Sequence, residues 1–167
     1  MTENFKSKMK DLLGDEYDAF MASLDKPIEK AITVNWGRID KDTFETLADF
    51  KHTPIPHVSN GYYVQGLKYS RSILSHMGVI YSQEPSAMYP VELLNIEPND
   101  IVLDICAAPG GKSTQILEKL NGTGFLLSNE IVYNRAKILY ENLNKLGYNN
   151  YAITNSSPAV FETTHLL

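Results

Sequence analysis

Cysteine is almost absent from this chain of 167 residues, which contains only Cys106. A single thiol excludes an internal disulfide and a zinc site built on several cysteines, and it suits a reducing compartment such as the cytoplasm. The four histidines are scattered, and no two lie four residues apart, so no metal site is predicted. No apolar run approaches the roughly 20 residues of a membrane span, and the first residues lack the apolar core of a signal peptide. We therefore expect a cytoplasmic protein without a membrane segment.

An excess of basic residues is also missing. The chain has 15 Lys and Arg against 20 Asp and Glu, which gives a net charge of −5. This balance argues against tight binding of RNA or DNA by the chain alone, although it is compatible with a small local basic patch. Hydrophobic residues make up 43% and charged residues 21%. That composition is typical of a globular protein and excludes a disordered one.

Short, mixed elements predict a small α+β subdomain over residues 1–83. Apolar residues at helical spacing over 3–24 are interrupted by Gly14, which predicts two short helices or one weakened helix. A further helix is predicted over 42–50, and the prolines of 53–56 predict a rigid connector. Three segments rich in β-branched and aromatic residues are predicted strands: 31–34, 61–64 and 78–81.

Alternating strand and helix signals distinguish residues 84–167. The predicted elements are a helix over 86–94, strands over 101–105, 125–129 and 151–154, and helices over 111–120 and 133–146. Alternation with short loops predicts a βαβαβ unit with a parallel sheet and right-handed crossovers. The expected fold class is therefore α/β: an incomplete Rossmann-like half-sheet preceded by the small α+β subdomain.

The most informative segment is the glycine-rich turn DICAAPGGKSTQ at residues 104–115, between a predicted strand and its helix. Such a junction presents unpaired backbone N–H groups and the positive end of a helix to a ligand. The phosphate loop of nucleoside triphosphatases requires glycine where Cys106 stands, and Pro109 would remove one N–H from the phosphate cradle. Phosphate binding through residues 111–113 is therefore only a minor alternative. The dinucleotide pattern G-x-G-x-x-G is absent.

The residue types of the turn and of the next strand end suit close approach of the backbone to a ligand and polar contacts with it. Lys112 lies in the first helical turn, where the helix dipole disfavours a cation, so we infer that it serves a ligand carboxylate or a neighbouring acid. Glu130, about twenty residues after the glycines at the end of the next strand, suits a carboxylate that accepts both ribose hydroxyls. Four small residues permit close approach of the backbone: Ala107, Ala108, Gly110 and Gly111.

The turn resembles the S-adenosylmethionine-binding loop of the Sun family of RNA 5-cytosine methyltransferases, D-x-C-A-A-P-G-[GS]-K-[ST], and matches it at every position over 104–113. Residues 81–88 resemble the segment that leads into the catalytic domain of that family. Residues 128–130 with Arg135 resemble its second cofactor motif, and residues 12–27 resemble the start of its bacterial ribosomal-RNA members. The resemblance implies an enzyme that makes 5-methylcytosine in ribosomal RNA, with S-adenosylmethionine as cofactor and RNA as partner.

The resemblance also implies a set of cofactor-binding residues: Cys106, Ala107, Ala108, Pro109, Gly110, Gly111, Lys112, Glu130, Arg135 and Asn155. Some of these positions have alternatives. Arg135 is as well suited to an ion pair or a solvated helix position as to a cofactor contact. For Glu130, a solvated position at the strand end is a minor alternative. Asn155 stands where family members commonly carry an acid that reads adenine. For Asp104, bracing of the loop is the alternative to a ligand contact.

The sequence departs from the family where the chemistry is expected. It lacks the later Asp-Ala-Pro-Cys and Thr-Cys motifs, whose cysteines would attack cytosine C6 and release the product. Cys106 is therefore interpreted as a loop residue, and no catalytic residue is predicted. We expect the N-terminal part of a longer enzyme, inactive alone, with an open apolar edge on strand 101–105 that permits self-association. A non-catalytic cofactor- or RNA-binding module is the alternative.

Some aromatic and basic residues of the first half are weak candidates for contact with RNA. Trp36 and the pair 62–63 are predicted to pack within the subdomain rather than to stack on bases. Lys68 and Arg71, on either side of Tyr69 and Ser70, are candidate contacts to RNA phosphate, with a solvated surface as the alternative.

Overall fold

The computed structural model describes residues 2–66 and 69–162. The first half contains helices α1 (Glu3–Leu13), α2 (Tyr17–Leu24), α3 (Lys41–Leu47) and α4 (Ile73–His76), and strands β1 (Lys30–Val34), β2 (His52–Pro54), β3 (Gly61–Val64) and β4 (Ile80–Ser82). The second half contains helices α5 (Pro85–Leu93), α6 (Gly111–Leu120) and α7 (Tyr133–Lys145), and strands β5 (Ile101–Asp104), β6 (Phe125–Asn129) and β7 (Tyr151–Thr154). Short 3-10 helices lie at Gly14–Glu16, Tyr69–Arg71 and Pro158–Glu162. Within the described ranges, no helix has the length and hydrophobicity needed to cross a membrane.

The first half forms an antiparallel sheet with strand order β2-β3-β1-β4. An aromatic and aliphatic cluster covers this sheet, with Phe44 fully buried at its centre. Trp36 meets the Phe44 ring edge-on at 5.7 Å between centroids, and Tyr62 packs at 5.5 Å. These rings are core residues, which confirms the packing interpretation of Trp36 and Tyr62.

Three local expectations for the first half need correction. The segment predicted as a rigid connector begins as β2, and its Pro54 is tolerated because β2 is an edge strand. Helix α3 ends at Leu47 rather than at residue 50, since Ala48 turns to an extended backbone (φ −77°, ψ 91°). The strand predicted from residue 78 begins only at Ile80, because Gly78 adopts φ +68°.

The second half forms the predicted parallel sheet, with strand order β5-β6-β7. Each strand lies within one residue of its predicted bounds, which confirms the α/β half-sheet. Helices α6 and α7 pack on it through a second apolar cluster that includes the fully buried Leu117, Leu139 and Leu143. The carboxyl ends of all three strands meet at one edge of the sheet, beside the glycine-rich turn.

Close contacts join the two halves. Met88 of α5 is fully buried against Ala31 and neighbouring apolar residues of the first half. The Asn35 side chain donates to the Leu146 carbonyl (3.4 Å) and accepts from the Tyr148 hydroxyl (2.9 Å). Helix α5 packs on β1 and β3 of the first half and on α6 of the second half, and the division at residue 83 stays an expectation.

In the described part of the chain, strand β5 is an edge strand of the parallel sheet, and Ile101 and Ile105 are 61% and 42% exposed. An open apolar edge is a template for strand pairing. We propose that two copies associate through it. Sedimentation velocity should show a dimer that Ile101→Lys shifts toward monomer, while Ile73→Lys, an exposed position on α4, should leave it unchanged. A wild-type chain that stays monomeric at high concentration would refute this.

Candidate functional site

The turn between β5 and α6 depends on two glycines. Gly110 adopts φ +114°, a conformation that only glycine adopts readily, and a side chain there would meet Leu139 Cδ1 at 3.1 Å. A side chain at Gly111 would meet the Gln83 amide carbon at 3.1 Å. The glycines thus let the turn pack between α7 and the end of β4.

Hydrogen bonds brace the start of the turn. Asp104 Oδ2 accepts from the Ser113 hydroxyl at 2.7 Å, and Ser113 Oγ in turn accepts from the Ser128 hydroxyl at 3.1 Å. The Ala107 N–H donates to the Asn129 carbonyl at 2.9 Å. The bracing interpretation of Asp104 is therefore confirmed.

Asn129 joins the ends of all three parallel strands, a role that the sequence did not reveal. Its side-chain nitrogen donates to the Ile105 carbonyl (3.2 Å) and the Ser156 carbonyl (3.0 Å). Its oxygen accepts from the Thr154 hydroxyl (2.9 Å) and the Ser156 N–H (3.1 Å). Every hydrogen-bonding atom of this buried amide is satisfied, so Asn129 fixes the spacing of the strand ends. A polar residue ending an apolar strand was the available signal.

Glu130 and Arg135 form a link to the turn. The Glu130 residue is only 3% exposed, so its interpretation as a solvated carboxylate is wrong. Its Oε1 accepts from the Val132 N–H (3.0 Å), and its Oε2 pairs with Arg135 Nη1 (3.2 Å). Arg135 Nη2 also donates to the Ala108 carbonyl (2.6 Å). The ion-pair interpretation of Arg135 is confirmed, while contact of either side chain with a cofactor stays a prediction.

Asn155 adjoins Glu130 at the end of β7. Its side-chain nitrogen donates to the carbonyls of Glu130 (2.5 Å) and Ile131 (2.9 Å). Both amide hydrogens are used in this way, and the side-chain oxygen remains as an acceptor for a donor from a ligand. Asn155 therefore holds the chain after β6, and its contact with adenine stays a prediction.

An open cleft of about 320 Å³ lies between the turn and the first half of the chain. Its walls are residues 81–84, Ala87, Asp104, residues 106–109, Gly111 and Lys112. Glu130, Arg135 and Asn155 are not among the residues that line this cleft: Glu130 and Asn155 follow β6 and β7, and Arg135 lies in the first turn of α7. The predicted residues form one constellation, in which the turn residues other than Gly110 line the cleft and contacts run from Asn155 through Glu130 and Arg135 to the Ala108 carbonyl.

Lys112 is exposed at the mouth of this cleft, in the first turn of α6. Among residues 2–66 and 69–162, no carboxylate or other acceptor pairs with its ammonium group. One of the two explanations inferred from the sequence, a neighbouring acid, is therefore not found in the described part of the chain. Nor do three or more His, Cys, Asp or Glu side chains gather there as metal ligands.

Gln83 is a second residue that the sequence did not single out. It is 9% exposed, and its amide nitrogen donates to the Ala87 carbonyl (3.0 Å) and to Gln115 Oε1 (3.3 Å). The side chain lies against Gly111, so it joins the end of β4 to the first turn of α6. Residues of the first half thereby help to position the turn.

Two family models match this chain. Residues 1–85 match the N-terminal domain of 16S rRNA methyltransferase RsmF, and residues 91–164 match 16S rRNA methyltransferase RsmB/F. The chain belongs to the RsmB/F family of 16S rRNA methyltransferases.

Curated members of the RsmB/F family align with nearly the whole chain. Ribosomal RNA small subunit methyltransferase F of Vibrio vulnificus strain YJ016 is 35% identical over 172 residues, covering 96% of this chain and 36% of the relative. The Enterobacter sp. strain 638 protein of the same name is 32% identical over 171 residues, covering 95% of this chain and 36% of the relative. The chain thus spans about a third of the length of these relatives.

Solved structures share the RsmB/F fold over the same range. A methyltransferase homolog protein from Pyrococcus horikoshii superposes with a TM-score of 0.87 at 26% identity, covering 97% of this chain and 55% of that one. NSun6 from Pyrococcus horikoshii with SFG gives the same TM-score at 17% identity, covering 98% of this chain and 67% of that one. At that identity, the second likeness shows the fold alone.

Proposed function

We propose that this chain forms the cofactor-binding part of an enzyme that transfers a methyl group from S-adenosylmethionine to cytosine C5 in 16S ribosomal RNA. The carrying observation is the cleft beside the family's glycine-rich turn, where Lys112 has no acceptor partner among the described residues. The relatives are bacterial ribosomal-RNA methyltransferases, which supports an RNA substrate and action in the cytoplasm.

Each part of the constellation suits one part of this cofactor. Lys112 and the backbone N–H groups at the start of α6 suit the carboxylate of its amino-acid end. The Glu130 carboxylate has about four acceptor positions and uses two within the protein, which leaves room for ribose hydroxyls. The Asn155 side-chain oxygen suits the adenine amino group. When bound, S-adenosylmethionine supplies the activated methyl group.

The cysteine chemistry of cytosine methylation sets a limit to what this chain does by itself. A thiolate must attack cytosine C6 before C5 becomes nucleophilic toward the methyl group. Cys106 lies in the cofactor turn, and the family resemblance assigns both catalytic cysteines to motifs outside this sequence. We expect the 167-residue chain to bind cofactor without turnover, and methyl transfer to ribosomal RNA by this chain would contradict that part of the proposal.

Replacement of Lys112 tests the cofactor proposal. Lys112→Ala should weaken binding of S-adenosylhomocysteine about tenfold or more, because a charge-assisted hydrogen bond contributes roughly 1.5–3 kcal/mol. Binding of 5′-methylthioadenosine should not change, since that ligand lacks the amino-acid end. Isothermal titration calorimetry with both ligands measures these effects, and the melting temperature should stay constant because Lys112 is exposed.

Lys137→Ala provides a matched control. Lys137 is an exposed lysine of α7 that lies 4.6 Å from the centre of the Tyr133 ring, outside the cleft. The Lys137→Ala variant should bind both ligands like the wild type. A folded wild-type chain with no affinity for S-adenosylhomocysteine would refute the cofactor proposal, and equal losses for both ligands in Lys112→Ala would refute the assignment of Lys112 to the carboxylate.

A further inference from the structure

A groove of about 310 Å³ lies beside the cofactor cleft at the junction of the two halves. Tyr81 and Ser82 line both the cleft and the groove, so the two are neighbours. Lys145, near the end of α7, lines the groove. We propose that the RNA strand whose target base enters the cleft runs along this groove, and that Lys145 contacts one of its phosphates. This inference rests on the proposed function.

The charges on the two sides of the cleft favour the groove as the path of the RNA strand. Among the described residues, no carboxylate lines the groove, and Lys145 is the cationic residue of its lining, beside Ser75 and Asn142. On the other side, a cavity of about 340 Å³ shares Ser82, Gln83 and Glu84 with the cleft. That cavity carries two carboxylates, Glu29 and Glu84, against the single cation of Lys30. Glu84 and Asp104 also line the cleft itself, against Lys112. On these lining charges, the groove is the more favourable of the two sides for a polyanion.

Lys145 lies at the C-terminal end of α7, where the backbone carbonyls carry partial negative charge that opposes anion binding. Here the first half of the chain covers them. The Leu146 carbonyl accepts from the Asn35 side chain, and the Lys145 carbonyl lies against Gly78, where an added Cβ would come within 2.2 Å. These contacts reduce the negative potential that the helix end presents beside Lys145.

Neighbouring groups fit a single-stranded polynucleotide. Tyr81 places an aromatic ring at the junction of cleft and groove, and aromatic rings beside cations are typical of single-strand binding surfaces. Asn142 connects the groove to the cofactor turn, since its amide donates to the Pro109 carbonyl at 2.8 Å. The exposed Arg71 follows Ser70, which also lines the groove, whereas Lys68 lies outside the described residues.

Charge reversal with salt titration tests the inference. Fluorescence anisotropy would measure binding of a labelled single-stranded RNA of about 12 nucleotides, a length near the site size of single-strand binding folds. Lys145→Glu should weaken binding at low salt about fivefold or more, and the slope of log affinity against log salt should become shallower by about 0.7. Lys30→Glu, the matched change in the opposite cavity, should have little effect. Both variants should bind S-adenosylhomocysteine like the wild type, which shows that the fold is intact.

The outcomes separate this inference from the proposed function. A selective loss of RNA affinity and salt slope in Lys145→Glu supports the path along the groove. A loss confined to Lys30→Glu, equal changes in both variants, or no change in either overturns it while cofactor binding stands. A wild-type chain that binds S-adenosylhomocysteine but no RNA also overturns it. A folded wild-type chain that binds neither ligand overturns the proposed function itself.

Discussion

Gly78→Ala is expected to lower the free energy of unfolding by about 3 kcal/mol or more. Gly78 adopts φ +68°, and its added Cβ would lie 2.2 Å from the backbone oxygen and 2.6 Å from the backbone carbon of Lys145. Backbone atoms of a packed helix do not yield to such a contact, so α7 must move away from β4. Urea denaturation followed by circular dichroism measures the loss.

Gly122→Ala separates backbone strain from the steric contact. Gly122 has φ +79°, but nothing lies within 4 Å of an added Cβ. The free energy of unfolding of this variant should fall only by the cost of placing alanine in a left-handed backbone conformation, about 1–2 kcal/mol. Equal losses in the two variants would mean that the contact between residue 78 and α7 contributes nothing. The larger loss in Gly78→Ala should also weaken RNA binding, because the groove lies at this junction.

Glu118→Gln is expected to remove a pH dependence of stability. Burial is the main cause that raises the pKa of Glu118 to about 7; the charge of Lys119 lowers this pKa, and the charge of Glu92 raises it. The carboxylate accepts from the Asn60 side chain at 3.3 Å. The oxygen of that buried Asn60 amide has no partner among the described residues. A protonated or amide group at position 118 carries a hydrogen-bond donor, whereas a carboxylate carries none.

The sign of the effect follows from the raised pKa. The folded state holds its proton more tightly than the unfolded state, whose Glu has a pKa near 4.5. The stabilisation from this proton is complete below about pH 4.5 and is lost as pH rises through about 7. The full shift corresponds to roughly 3 kcal/mol at 1.36 kcal/mol per pH unit, and partial solvent access reduces it to about 2 kcal/mol.

Urea denaturation between about pH 5 and 8 measures this effect. Wild-type stability should fall across the window relative to Glu118→Gln, and the variant should be the more stable at the upper end by about 2 kcal/mol. Glu141→Gln, an exposed change on α7, should follow the wild-type curve. Parallel curves for the wild type and Glu118→Gln would contradict the buried-carboxylate argument.

Prediction from the sequence succeeded where local signals were sufficient. The alternation of strands and helices in the second half reflects periodicities of two and 3.6 residues, and β5, α6 and β6 lie where these periodicities place them. The same signals misjudged the first half. Strand β2 contains Pro54 and only three residues, and its pairing with β3 is decided by distant residues rather than by its own composition.

The candidate site divides in the same way. Glycine at 110 and 111 and a lysine after them are local facts, readable without a structure. The contacts of Arg135 with Ala108 and Glu130, and those of Asn129 with three strand ends, join residues up to 27 positions apart. No periodicity encodes such pairs, because a side chain finds its partner only once the strands are aligned.

The sequence by itself determined the half-sheet, the glycine-rich turn and the resemblance to RNA methyltransferases, because these depend on residues adjacent along the chain. Only the tertiary structure decided that Glu130 is buried, that Lys112 is left without a partner among the described residues, and that Gly78 seats β4 against α7. It also decided which side of the cleft carries an unopposed cation. The burial of a side chain and the charges around it depend on residues that are distant along the chain, and these residues meet only when the chain folds.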